Sequence, residues 1–169
     1  IKGLDFCGED VAFQIRAKKW AKNEIGDLFT IRQLTIKMVH ALRKFPDSPF
    51  LLSLGGMYFM IKYQITDDES DLDKGLSYSM KSHSIIENNF DKTVDFFINS
   101  ANEVNFEIIP FIYMASGKSD QAAQFLIKNK NQICRDGTYE CLNIWRLRDY
   151  HEVFYSNYYY DEVLKISQI

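Results

Sequence analysis

The sequence predicts an all-α fold of about eight antiparallel helices in stacked pairs. Three observations lead there. Apolar residues recur at alternating three- and four-residue spacings, the repeat of one helix face. Turn-forming groups such as Pro46-Asp47-Ser48-Pro49 and Asp136-Gly137-Thr138 separate these stripes. No segment alternates apolar and polar residues with the period of two that a half-buried strand requires.

An opening helix is expected near Glu9–Glu24. The next stripe, Leu28, Ile31, Thr35, Met38, Leu42 and Phe45, ends at Pro46, which cannot continue a helix. Leu51, Leu54, Tyr58, Ile61 and Ile65 form the following one, with Asp47 or Ser48 to cap it. Gly55 and Gly56 lie inside it. Each costs about 1 kcal/mol against alanine there, so a neighbouring helix is expected to approach closely. Asp67–Asp71 reads as an acidic loop, and a helix follows over about Leu72–Glu87. Val94, Phe97, Ala101 and Val104 make the next stripe, with a break or kink over Asn105–Pro110. Gly117 marks a turn, Ser119 is the expected cap, and Ala122, Leu126 and Ile127 carry the helix onward. The last two helices are expected over about Tyr139–Tyr155 and Tyr159–Ile169.

Composition bounds the function. The chain has 169 residues, 46% hydrophobic and 25% charged, which is enough apolar material for one folded domain and excludes disorder. No apolar run reaches the length of a membrane span. Ile1 stands where an initiator Met would, which fits a fragment or processed product. Cys7, Cys134 and Cys141 are odd in number and lack zinc-type spacing, so free thiols and a cytoplasmic location are expected. Basic residues concentrate before Pro46, among them Arg16, Lys18, Lys19, Lys22, Arg32, Lys37, Arg43 and Lys44. A nucleic acid would have to use this excess, which is small for phosphate neutralisation. Tyr158, Tyr159 and Tyr160 are consecutive, so one helix face cannot bury all three. Exposed rings of this kind suit a binding face and equally a capping contact at the end of the domain; the partners left open include a second copy of the chain.

Chemical motifs are absent. His40, His83 and His151 have no second ligand at helical spacing, and His151-Glu152 does not extend to HExxH. The acidic run beginning at Asp67 places Leu72 and Tyr78 where a calcium loop needs Gly and Glu. Gly117-Lys118-Ser119 has only the tail of a phosphate loop. No catalytic, metal or cofactor residue is assigned.

Phe106-x-x-Ile109-Pro110-x-x-Tyr113-x-x-x-Gly117, followed by Ala122 and Leu126, resembles the tetratricopeptide repeat. Leu51-x-x-Leu54-Gly55-x-x-Tyr58 resembles its first helix again, with Gly75 as the small residue of the second helix and an overlong turn over Gln64–Ser70. Leu147-x-x-Tyr150 with Phe154 and Val163 is a third, weaker match. The resemblance spans residues 47–166 of a single domain, after an N-terminal helix pair over 1–46. It implies helix pairs stacked into a superhelix, with Leu51, Leu54, Tyr58, Phe106, Ile109, Tyr113, Leu147, Tyr150 and Phe154 packed inward. It also implies a groove lined by Phe59, Glu107, Phe111, Arg148, Glu152 and Tyr155, and hence a non-enzymatic module for a protein or peptide. Two other readings stay open: the ligand-sensing fragment of a bacterial peptide-responsive regulator, which similar arrays form, and an all-α enzyme or toxin.

Overall fold

The computed structural model describes residues 28–89, 96–134, 139, 140, 142 and 144–169. The described residues form seven helices and no strand. They are α1 (Leu28–Lys44), α2 (Pro49–Thr66), α3 (Glu69–Asn89), α4 (Phe96–Ala115), α5 (Ser119–Ile133), α6 (Ile144–Ser156) and α7 (Tyr160–Ser167). The helix expected near Glu9–Glu24 lies outside the described residues. Contacts divide the chain into two units, Ile1–Val39 and His40–Ile169, and α2 to α7 all belong to the second.

Local chemistry sets most helix ends. Pro46 follows α1. Ser48 caps α2 by accepting the Leu51 N–H at 3.4 Å, with Pro49 in the first turn, where its missing N–H costs nothing. Asp67 closes α2 in the left-handed conformation, φ 57°, its N–H donating to the Tyr63 carbonyl at 2.8 Å. The overlong turn expected over Gln64–Ser70 is in fact only Asp67 and Asp68. The helix begins at Glu69 because acidic residues suit the positive end of a helix, and the Asp68 carboxylate accepts the Ser70 N–H at 3.0 Å. The same charges read as a solvated loop in the sequence.

The break expected over Asn105–Pro110 does not occur. Pro110 sits inside a continuous α4. Proline has no N–H, so the Phe106 carbonyl loses its helical donor. The Tyr150 hydroxyl of α6 supplies one instead, at 3.1 Å. Burial leaves the Tyr150 phenol far harder to ionise than usual, so it remains a donor.

Helices α2, α3 and α4 pack mutually, and α4, α5, α6 and α7 pack in sequence. Gly56 of α2 and Gly75 of α3 stand at the closest crossing: a Cβ on either would lie 3.1 Å from the other's carbonyl oxygen. A Cβ on the neighbouring Gly55 would meet Leu42 at 3.0 Å and, on α3, Tyr78 at 3.6 Å. The pairing turns Leu52, Phe59 and Met60 inward, because they lie three or four residues from Gly56 on the same helix face. Leu51, Leu54 and Tyr58 are therefore only half-buried, whereas Phe106, Ile109, Tyr150 and Phe154 are core residues as expected.

The expectation of free thiols is overturned at Cys134, which is buried and disulfide-bonded. Cys7 and Cys141 both lie outside the described residues. Among the described residues, no helix is long and apolar enough to cross a membrane.

Candidate functional site

The α4–α5 and α6–α7 turns are built alike. In the first, Gly117 N–H donates to Met114 O at 3.0 Å and Lys118 N–H to Tyr113 O at 2.8 Å. In the second, Tyr158 N–H donates to Tyr155 O at 3.2 Å and Tyr159 N–H to Phe154 O at 3.0 Å. Both are Schellman closures, whose turn residue must adopt a left-handed backbone. Gly117 does so at φ 69°, which glycine permits; Tyr158 does so at φ 63° despite its Cβ. Ser119 is not the cap of α5. Its hydroxyl donates to the Asn157 side-chain oxygen at 3.1 Å, and the Asn157 amide returns a bond to the Ser119 carbonyl at 3.1 Å, tying the two turns together.

The expected site residues divide between core and surface. Phe59 is 3% exposed, stacked on Tyr78 with Lys74 over its ring, and lines no open face. It turns inward with the Gly56 face of α2. Glu107 is half-buried, 3.7 Å from the Arg146 guanidinium of α6. Phe111, one turn further along α4, is 37% exposed. Arg148, Glu152 and Tyr155 share one exposed face of α6, at helical spacings of four and three. Arg148 pairs with its neighbour Asp149 at 3.1 Å. Tyr155 is 61% exposed and lies parallel to His151, with 6.1 Å between ring centroids.

Tyr158 and Tyr160 were marked in the sequence only as members of an unburiable triplet. The structure places the Tyr160 ring against both Tyr155 and Tyr158. Tyr160 meets Tyr155 at 6.2 Å between centroids and 74°, and Tyr158 at 6.1 Å and 77°. Tyr159 alone turns inward, against Phe154.

Beneath this surface lies a polar cluster that spacing could not reveal. Tyr139, fully buried with φ 68°, donates its hydroxyl to Glu162 Oε2 of α7 at 2.8 Å. Lys165 donates to Glu162 Oε1 at 2.6 Å, and Lys130 of α5 lies 3.8 Å away. Burial alone would raise the Glu162 pKa. The hydrogen bonds from Lys165 and Tyr139, with the Lys130 and Lys165 charges, outweigh it and hold the carboxyl below its ordinary value. The folded state thus favours the ionised form. That stabilisation is full above the unfolded carboxylate pKa and fades as pH falls through it to the folded value. Glu162→Gln is expected to cost roughly 1–3 kcal/mol near neutral pH, through loss of charge-assisted bonds. Urea denaturation of both proteins from about pH 7 to about pH 3 checks this: the gap should narrow with acidification. A gap independent of pH would assign the loss to packing.

Among the described residues, no group of three His, Cys, Asp or Glu side chains is placed to hold a metal ion. Comparison with known protein families, curated proteins and solved structures yields no match.

Proposed function

We propose that residues 47–166 form a tetratricopeptide-like array of helix pairs, and that the chain is a non-enzymatic module binding a peptide or protein segment along α4 and α6. The observation that carries this reading is the pair of equivalent Schellman turns, at Gly117 and Tyr158, tied by Ser119 and Asn157. Equivalent helices also touch: α6 meets α4 through Tyr150–Phe106 and Arg146–Glu107. Further along, α5 meets α3 through His83–Phe125 and Gln132–Glu87, and α7 meets α5 through Glu162–Lys130. That contact pattern is what stacked helix pairs require. The proposed surface comprises Glu107, Phe111, Arg148, Glu152 and Tyr155, with rings for apolar contact and charges to set direction. The disulfide at Cys134 favours an oxidising compartment over the cytoplasm.

The test begins with a peptide selected from a displayed random library, titrated against the wild type and against Phe111→Ala, Arg148→Ala and Tyr155→Ala. A binding surface predicts affinity lower by about tenfold for at least one variant, with melting temperature nearly unchanged. Failure to select any peptide, or falling stability with unchanged affinity, would place these residues outside a binding face.

A further inference from the structure

The geometry points to a three-sided aromatic receptacle, formed by Tyr155, Tyr158 and Tyr160, for the ammonium group of a lysine side chain in the bound peptide, with N-methylated lysine held more tightly. This rests on the peptide-binding reading and specifies what the peptide presents.

The rings are 61%, 78% and 52% exposed, an unusual amount of aromatic surface to leave in water. Tyr160 stands nearly perpendicular to both neighbours, with centroids 6.2 and 6.1 Å away. Two ring faces at right angles with centroids about 6.2 Å apart can each lie about 4.4 Å from one cation, and that cation-to-ring distance is inside the ~6 Å reach of a cation–π contact. Walls at right angles suit a compact tetrahedral cation. A planar guanidinium stacks on one ring face and leaves the others unused.

The surrounding charges agree. Glu152, one turn before Tyr155, and Asp161, next to Tyr160, are exposed and form no ion pair among the described residues. The basic groups on the same helices are already engaged, Arg148 with Asp149 and Lys165 with Glu162. With His151 stacked on Tyr155, the unpaired carboxylates on the two helices that carry the rings are Glu152 and Asp161. Tyr158 occupies a left-handed turn position where Gly117 serves in the companion turn. Its ring is held there against backbone preference, edge-on to Tyr160 and otherwise mostly in water.

The test follows ring resonances of the tyrosine-labelled protein by NMR. Tetramethylammonium chloride is compared with sodium chloride at equal ionic strength and with tert-butanol, its neutral near-isostere. Saturable shifts of Tyr155, Tyr158 and Tyr160 with the cation alone are expected. N-acetyl-trimethyllysine amide should reproduce them more strongly than N-acetyl-lysine amide. Tyr158→Gly removes one wall while relieving the backbone, so binding should weaken at least tenfold with no fall in melting temperature. Absence of saturable shifts, an equal response to tert-butanol, or binding to phosphatidylcholine vesicles but to neither lysine derivative would overturn the proposal. A library-selected peptide that binds the wild type and Tyr158→Gly equally would also remove the receptacle while leaving the peptide-binding reading intact. Lysine-derivative binding without any selectable peptide would support the receptacle and remove the broader surface.

Discussion

Gly56→Leu is expected to destabilise the protein by about 3 kcal/mol or more, the upper range for overpacking a close helix crossing. A Cβ at position 56 would collide with the Ser79 hydroxyl, and it would lie 3.1 Å from both Ser79 Cβ and the Gly75 carbonyl oxygen. Rotating the Ser79 hydroxyl clears the first contact. The other two belong to a Cβ and to backbone of α3, so only separation of the helices relieves them. That separation would also open the packing of Ile112 on Gly75 and of Phe59 on Tyr78. Gly55→Ala is the control. Its Cβ would meet the Leu42 Cδ1 at 3.0 Å, the end of a flexible side chain, and alanine improves helix propensity. Its stability should stay within about 1 kcal/mol of the wild type. Urea midpoints of the two variants decide the matter; a Gly56→Leu midpoint equal to the wild type would show that α2 and α3 do not cross so closely.

The second large effect is expected at Lys62. Its ammonium donates to both oxygens of the fully buried Asp71 carboxylate, at 2.8 and 2.6 Å. Lys74, itself half-exposed, lies 3.6 Å from Asp71, and the Thr66 hydroxyl donates weakly at 3.4 Å. Lys62→Met strips the main partner from a carboxylate without access to water. Breaking a buried pair in this way costs roughly 3–5 kcal/mol. Asp71 stands in the first turn of α3, where the helix dipole offsets part of the loss, so the lower end of that range is expected. Replacing both partners, as Lys62→Met with Asp71→Leu, should recover most of the stability, since an apolar pair carries no desolvation debt. Thermal or urea unfolding of the single and double variants closes the cycle. A loss in the double variant equal to the sum of the losses in Lys62→Met and Asp71→Leu alone would mean that the pair is not coupled.

Among the described residues, helix type was legible because it depends on local spacing. The stripes through Phe106, Ile109, Tyr150 and Phe154 predict core residues that are indeed buried. Boundaries were legible where a residue acts on its own backbone, as Ser48 and Pro49 do. They were not legible where the deciding partner is remote. Pro110 reads as a break because the Tyr150 hydroxyl that satisfies the Phe106 carbonyl comes from another helix. Ser119 reads as a cap because Asn157 is invisible from its neighbourhood. The α6 boundary moved for a related reason: Tyr139 looks like the start of a helix but is drawn into the core by Glu162, in a left-handed conformation no helix contains. Of the expected surface, Glu107, Phe111, Arg148, Glu152 and Tyr155 lie at least partly in the open, whereas Phe59 does not.

By itself the sequence determined that the described residues are helical, where most of those helices run, and which tyrosines could not all be buried. These follow from periodicity and from backbone limits carried by single residues. Tertiary structure decided the rest. It chose Gly56 over Gly55 to face Gly75, and that choice rotated Phe59 into the core. It also joined Tyr139 to Glu162, and grouped Tyr155, Tyr158 and Tyr160 at the end of one helix pair. The reason is physical. Spacing along a helix states which residues share a face, but which face is buried depends on how closely two backbones can approach.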